Sequence, residues 1–439
     1  MYKKRVRLFV VNKFEEYKSL INDFKWSIFS VGFLQGGNFI NSIIIARIIG
    51  KLNFGIYGAV ISTASMIIGV AGAGLSIAAT KFVAERKEVG LGRVGRIIGL
   101  CQAITITTAI FYASIMAIFS KQISSYFLND SSKYKILLLA VPYMFFMVLN
   151  LYQTGAFQGF RSFKKISIFN GLNFFLSFTL IIILGLAFSL QGVIIAMSIS
   201  SFINWVLFRK YLRKHFTLEN IQITWVDIKK EYPLVQSFFI PALLSGIIGS
   251  IGPWLVNMFL VGTENGYSEM AIFIAANSYK SFIIIIPTLL SKVYTPLICE
   301  YRNKNKYLYR KYIYQNLAIS LIVCILISVA VIVFFPYLMN LFGRDFNANL
   351  NLILFLCFSA FLDVIVAGLY LILYSQGLMK YQFYISLLWT IVLVCCSLLM
   401  IDNYGSEGLA FSYCIASFSS ICVYVYLFFS RKLKLSSKL

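Results

Sequence analysis

The chain has 439 residues, of which 59% are hydrophobic and 13% are charged, and its mean hydropathy is +0.82. Soluble domains are roughly 45–50% apolar and ~25% charged, so this composition excludes an ordinary water-soluble protein. The formal net charge of +23 would suit a nucleic-acid-binding protein, but the placement of the basic residues argues against that class.

Apolar stretches of about 20 residues recur along the whole chain, and a helix of that length crosses the ~30 Å hydrocarbon core of a bilayer. We predict twelve transmembrane helices, which are numbered here as spans 1 to 12. They begin near Trp26, Phe54, Ile97, Ile136, Ile166, Gly192, Val235, Ala271, Ile313, Leu350, Ile385 and Gly408. The expected fold class is therefore an all-α integral membrane protein.

The basic residues lie mostly on one side of these spans. If the N-terminus is inside, the cytoplasmic segments hold 31 of the 39 Lys and Arg residues, and the outer loops hold five. Cytoplasmic loops of membrane proteins carry such an excess, so both termini are expected in the cytoplasm. The basic charge then reflects topology, and no nucleic acid partner is expected. The first 25 residues are charged, which does not fit a cleavable signal peptide.

The second six spans repeat the first six. Their starts follow those of the first six by 209 to 219 residues, and Tyr152 and Gln158 recur as Tyr370 and Gln376 in the same register. A near-constant offset indicates an internal duplication. Because each half has an even number of spans, the halves are parallel repeats, related by a pseudo-twofold axis along the membrane normal. The sequence thus predicts two six-helix bundles.

This reading divides the chain into five segments. They are a cytoplasmic amphipathic segment (1–25), an N-terminal bundle (26–208), a cytoplasmic basic linker (209–234), a C-terminal bundle (235–429) and a cytoplasmic tail (430–439). The loops are too short for a soluble domain. The eight cysteines include no C-x-x-C pair, and neither a P-loop nor an H-E-x-x-H sequence occurs. We therefore expect no catalytic residues, no metal and no other cofactor.

Span 8 carries a candidate site. Its residues Asn277, Ser281 and Thr288 recur at helical spacing and share one face, which Lys280 and Lys292 flank on either side. Unpaired polar groups are costly in hydrocarbon, so this face must meet other helices or water. We expect these residues to line a working cavity. For Lys292, which lies closer to the cytoplasm, snorkelling to lipid phosphates is the alternative.

Three further intramembrane positions complete the candidate site. Gln35 and Asn38 lie on one face of span 1, and Arg47 lies near its outer end, about 180° from Asn38 on a straight helix. Snorkelling is the favoured explanation of Arg47 unless the helix bends. Asp363, in span 10, is the one acidic residue inside any predicted span. Such a carboxylate is usually paired or protonatable, so Asp363 is expected to form a salt bridge with Lys280 or to act in ion coupling.

Two stretches at the ends of span 2 carry a family resemblance. Residues 45–57 read Ile-Ala-Arg-x-x-Gly-x-x-x-Phe-Gly-x-Tyr, and residues 72–85 read Gly-Ala-Gly-Leu-x-x-Ala-Ala-Thr-Lys-Phe-Val-Ala-Glu. Both resemble the polysaccharide transporters, O-antigen flippases in particular. That superfamily also includes lipid II flippases and multidrug and toxin extruders. The resemblance implies alternating-access translocation of undecaprenyl-pyrophosphate-linked oligosaccharide repeat units to the outer leaflet of a bacterial plasma membrane, through a cationic central cavity.

The resemblance also implies a role in lipopolysaccharide or similar surface-polysaccharide synthesis. The expected partners are the lipid-linked oligosaccharide, the bilayer, and a polysaccharide polymerase with its chain-length machinery. Two intramembrane lysines against one acid favour an anionic cargo over the cations of a multidrug extruder, which is the alternative function. A polymerase would be expected to carry a sizeable outer loop, and a lipid II flippase to carry helices beyond twelve.

Overall fold

The computed structural model describes residues 25–84, 90–218, 220–223, 232–347, 349–376 and 378–430, and it is helical through nearly all of them. Spans 3, 4, 7, 8, 9 and 10 are separate helices: Leu91–Ile118, Tyr134–Gly159, Tyr232–Val261, Gly266–Lys304, Lys306–Phe342 and Leu350–Gln376. The other six spans pair within three long helices, Gly37–Ala84, Phe163–Leu218 and Met379–Phe429. A π-helical turn at Gly32–Gly36 and a short helix at Ser120–Phe127 complete the set.

Each of the three long helices contains a sharp bend at which one span ends and the next begins. The bends lie at Gly50, Ser189 and Gly405, whose backbone dihedral angles are not helical. Eight helices of the described chain are apolar and long enough to cross a membrane, and the three bent ones are each long enough to cross it twice. The prediction of an all-α membrane protein with twelve spans in two six-helix bundles is confirmed.

The duplication is visible in the backbone itself. Ser189 has φ 50° and ψ −132°, and its repeat equivalent Gly405 has φ 50° and ψ −127°. Three residues after each bend stands a glycine that the close approach of the helices requires. A Cβ atom on Gly192 would lie 1.8 Å from the carbonyl oxygen of Leu184, and one on Gly408 would lie similarly close to a carbonyl of span 11. Both halves therefore make the same tight turn with the same chemistry.

The two ends of the molecule differ in charge. We call the end that carries Lys25, Lys164, Arg209 and Arg302 the basic end, and the end with the three bends the opposite end. Span 6 continues as a helix to Leu218, so the first part of the predicted linker 209–234 is helical. Residues 1–24 of the predicted amphipathic segment, residues 224–231 of the linker and residues 431–439 of the tail lie outside the described residues.

Contacts between the two bundles are concentrated toward the opposite end. There the ring of Phe54 packs 6.0 Å from that of Phe342, and the indole of Trp254 donates a hydrogen bond to Thr63. At the basic end the spans instead contact their own bundle. Asn170 of span 5 donates to the Ser30 hydroxyl of the first bundle, while Arg302 donates to a carbonyl of span 10 in the second. The bundles are thus joined toward the opposite end.

Candidate functional site

A cavity of about 620 Å³ lies between five spans of the first bundle and spans 7 and 8. Its wall is rich in amides and hydroxyls: Asn38, Asn41, Ser42, Tyr57, Ser62, Ser65, Tyr143, Asn173, Ser177, Ser200, Ser201, Asn204, Ser250 and Asn257. Within the described part of the chain, no Lys, Arg, His, Asp or Glu lines it. The cavity is polar and electrically neutral, which differs from the cationic cavity expected from the sequence.

Four amide oxygens of this wall have no hydrogen-bond donor. They belong to Asn41, Asn173, Asn204 and Asn257, and each is buried. The amide nitrogen of Asn41 donates to Ser177, and that of Asn257 donates to Ser62, at 3.2 and 3.0 Å. These bonds turn the carbonyl side of both amides away from the serines. Because an unsatisfied buried acceptor is costly, the cavity is built for a ligand or water that donates hydrogen bonds.

A second cavity, of about 440 Å³, lies between spans 1 and 8 and shares Asn38 and Ser42 with the first. It brings together three residues of the predicted site, Gln35 and Asn38 from span 1 and Ser281 from span 8. The polar faces of these two spans therefore meet each other across the interface between the bundles. The two cavities together form one polar region, which we call the central site.

The structure places Lys280 away from the central site. Its ammonium lies 2.9 Å from a carboxylate oxygen of Asp363 and donates to the Ser359 hydroxyl at 2.5 Å. The ring of Tyr413 lies 4.9 Å away, and the second carboxylate oxygen of Asp363 accepts from Ser417 at 2.6 Å. Lys280 thus points into the second bundle and forms the salt bridge that the sequence offered as one of two roles for Asp363. Its charge is neutralised in this conformation, so Lys280 is not part of the cavity wall.

Arg47 also lies outside the central site. Its guanidinium donates to the backbone carbonyls of Asn340 and Leu341 at 2.6 and 2.7 Å, in the last turn of span 9. Carbonyls in the last turn of a helix lack intrahelical partners and carry partial negative charge, so a cation is favoured there. Arg47 therefore joins the two bundles at the opposite end, a role that neither snorkelling nor cargo contact describes.

The remaining predicted residues follow span 8 toward the basic end. Asn277 and Thr288 are half-buried, and the hydroxyl of Thr288 donates to a carbonyl of its own helix. Lys292 is exposed, on the turn beyond the central site. Asn277, Thr288 and Lys292 do not line either part of the central site among the residues that the structure describes.

Similarity to known proteins agrees with this architecture. Residues 20–302 match the family model described as polysaccharide biosynthesis protein, and residues 241–399 match the MatE family model. The chain belongs to the polysaccharide biosynthesis protein family. No curated protein matches the sequence of this family member.

Solved structures share the fold across almost the whole length of this family member. An inward-facing multidrug resistance MATE transporter of the MOP superfamily has a TM-score of 0.78 at 14% identity, with 93% of this chain and 96% of that one covered. The eukaryotic MATE transporter AtDTX14 has a TM-score of 0.72 at 13% identity, with 93% and 95% covered. A MOP superfamily transporter from Pyrococcus furiosus has a TM-score of 0.66 at 16% identity, with 96% and 97% covered. The chain is a multi-pass membrane transporter of this superfamily.

Sequence reasoning found the polar faces of spans 1 and 8 but missed the asparagines that dominate the central site. Asn41, Asn173, Asn204 and Asn257 come from four different spans and stand alone in apolar stretches. An amide inside a transmembrane span is costly, and that cost is the signal that could have singled them out. Their convergence depends on helix packing, which no local pattern encodes.

Proposed function

We propose that this transporter moves undecaprenyl-pyrophosphate-linked oligosaccharide repeat units, of an O-antigen or a similar surface polysaccharide, across the bacterial plasma membrane. The observation that carries the proposal is the neutral wall of the central site with its four unpaired amide oxygens. Sugar hydroxyls donate and accept hydrogen bonds and carry no charge, so they match such a wall. The cavity also lies within the roughly 300–1,000 Å³ of typical ligand pockets.

The arrangement of the bundles supports uptake from the cytoplasmic leaflet. By the positive-inside rule the basic end faces the cytoplasm, and the bundles are joined toward the opposite end. In this conformation the sugars enter the central site from the cytoplasmic side, while the lipid tail stays in the bilayer. Translocation then requires the contacts at the opposite end, including those of Arg47, to open.

The pyrophosphate needs cationic partners, and the central site supplies none in its described wall. Lys292 is exposed on span 8, toward the basic end from Ser281. We assign Lys292 to the pyrophosphate and the central site to the sugars. Lys280 reaches the cargo only in a conformation in which its salt bridge with Asp363 has opened. Such an exchange would couple transport to protonation of Asp363.

Multidrug extrusion is the second candidate, because the MatE family model matches residues 241–399 and because MATE transporters share the fold. A cationic drug would need a carboxylate in its binding site. Asp363 is the one acidic residue within the predicted spans, and its carboxylate is already paired with Lys280. The geometry therefore supports the oligosaccharide cargo better.

Deletion of the gene and complementation distinguish the two functions. We expect the deletion strain to lose surface polysaccharide on gels and to accumulate the lipid-linked unit on the cytoplasmic side. The double variant Asn173→Leu/Asn204→Leu should export less than a tenth of the wild-type amount at equal protein level. The matched control is Asn316→Leu, since Asn316 is also a buried amide with an unpaired oxygen but does not line the central site.

Two results would contradict the proposal. Equal export by Asn173→Leu/Asn204→Leu and by wild type would show that the central site does not hold the sugars. Survival of the polysaccharide in the deletion strain, together with increased sensitivity to cationic dyes, would establish the multidrug extruder instead.

A further inference from the structure

A separate polar pocket lies at the basic end of the first bundle, remote from the central site. Its volume is about 310 Å³, and its polar lining is formed by Gln102, Gln153, Arg209 and Arg213, with the ring of Tyr152. We call it the basic-end pocket. It draws on spans 3, 4 and 6, and none of its lining residues belongs to either part of the central site. The transport mechanism proposed above makes no use of it.

The two arginines give the pocket a positive charge. Arg209 and Arg213 are four residues apart and therefore lie on the same face of the helix. The guanidinium of Arg209 stacks on the indole of Trp205, 5.0 Å from the ring centroid, which restricts its position. The described lining includes no carboxylate. Guanidinium groups in a partly enclosed site without a carboxylate are suited to a phosphate, which they bind through several parallel hydrogen bonds.

Gln153 adds a second requirement on the ligand. Its side chain is only 5% exposed, and its amide oxygen is buried without a donor. A phosphate group cannot satisfy this oxygen, because a phosphodiester offers acceptors and no donors. The ligand must therefore combine a negatively charged phosphate for the arginines with a hydroxyl group for Gln153.

The duplication supplies an internal comparison. At the repeat-equivalent positions the second bundle has Ala318 for Gln102, Leu371 for Gln153, Val425 for Arg209 and Phe429 for Arg213. All four are apolar, although the same ends of the same spans lie at the basic end in both bundles. The general excess of basic residues on one side of the membrane does not explain a buried glutamine. The polar groups of the pocket are thus particular to the first bundle.

We propose that the basic-end pocket binds the headgroup of an anionic glycerophospholipid that carries hydroxyl groups, of which phosphatidylglycerol is the simplest. Its phosphodiester contacts Arg209 and Arg213, and its terminal glycerol donates to Gln153. The position of the pocket at the basic end places this lipid in the leaflet that faces the cytoplasm. The site is independent of the cargo, so it stands or falls separately from the proposed function.

Native mass spectrometry of the purified full-length protein tests the proposal with three lipids. Phosphatidylglycerol should bind; phosphatidic acid, which has the phosphate but no glycerol head, should bind more weakly; phosphatidylcholine should not bind above background. Arg209→Gln/Arg213→Gln should weaken phosphatidylglycerol binding at least about tenfold, because it removes charge-assisted hydrogen bonds. The matched control is Lys210→Gln/Lys214→Gln, which removes the same charge from exposed residues of the same helix that do not line the pocket.

Gln153→Leu tests the second requirement and introduces the residue that the second bundle already tolerates at this position. It should remove the preference for phosphatidylglycerol over phosphatidic acid while leaving phosphatidic acid bound. Equal losses in the arginine and lysine double variants would overturn the proposal, since binding would then reflect net charge alone. Binding of inorganic phosphate or pyrophosphate without binding of phosphatidylglycerol would overturn it as well, by identifying a soluble anion or the cargo's own pyrophosphate as the ligand.

Discussion

The salt bridge inside the second bundle should be a large and asymmetric contributor to stability. Lys280 and Asp363 lie 2.9 Å apart, and their side chains are 8% and 31% exposed. Removal of one partner of a buried ion pair costs about 3–5 kcal/mol, because the other charge is left without compensation. The loss should be greater for Asp363→Asn, which strands the deeply buried ammonium, than for Lys280→Met. After Lys280→Met the carboxylate keeps its contact with solvent and its bond from Ser417.

Thermal unfolding of the purified variants measures this contribution. For a chain of 439 residues, about 3–5 kcal/mol corresponds to a Tm that is lower by roughly 3–5 °C. The double variant Lys280→Met/Asp363→Asn leaves no unpaired charge, so its Tm should recover most of the loss. A Tm for Asp363→Asn within 1 °C of wild type, or losses in the double variant that simply add, would refute the reasoning.

The same double variant separates the two roles that the sequence allowed for Asp363. If the pair only stabilises the second bundle, the double variant should transport cargo normally once its Tm has recovered. If the pair opens during transport and exchanges a proton, transport should stay low despite the recovered Tm. The export assay described for the central site provides the readout.

Three further predictions concern the closure of the molecule and its repeated turns. Arg47→Gln loses two charge-assisted hydrogen bonds between the bundles and should shift the population toward the state open at the opposite end by about tenfold or more. A cysteine at Ser62, in a background without other reactive cysteines, should then react faster with an impermeant thiol reagent; an unchanged rate would refute the gate role. Ser189→Gly should raise the stability by about 1 kcal/mol, since φ 50° strains a non-glycine residue, whereas Gly405→Ser should lower the Tm. Gly155→Val should prevent a monodisperse product in size-exclusion chromatography, because its Cβ would lie 2.2 Å from a backbone carbonyl oxygen of span 2.

Local features determined how much of the fold could be predicted. Span number and order follow from the length of each apolar stretch, because a bilayer sets one length for every helix. The repeated turns at Ser189 and Gly405 follow from short sequences that need particular backbone angles. The polar faces of spans 1 and 8 follow from helical spacing, and these faces do meet at Gln35, Asn38 and Ser281.

The direction of a single side chain was beyond such reasoning. Lys280 flanks the polar face of span 8, so helical spacing alone allows it to point either toward the cavity or into its own bundle. Asp363 on span 10 and Tyr413 on span 12 decide for the bundle, because an ammonium in a dry environment goes where a carboxylate and an aromatic ring neutralise it.

By itself, the sequence determined a duplicated membrane transporter with twelve spans and a basic end, because hydrophobic length, charge placement and turn chemistry are properties of short segments. Only the tertiary structure decided the character of the central site. The asparagines that line it lie on four spans, at positions 41, 173, 204 and 257, and only helix packing brings them together. The same packing pairs Lys280 with Asp363 and holds Arg47 against span 9, so the charges that the sequence assigned to the cavity are engaged elsewhere.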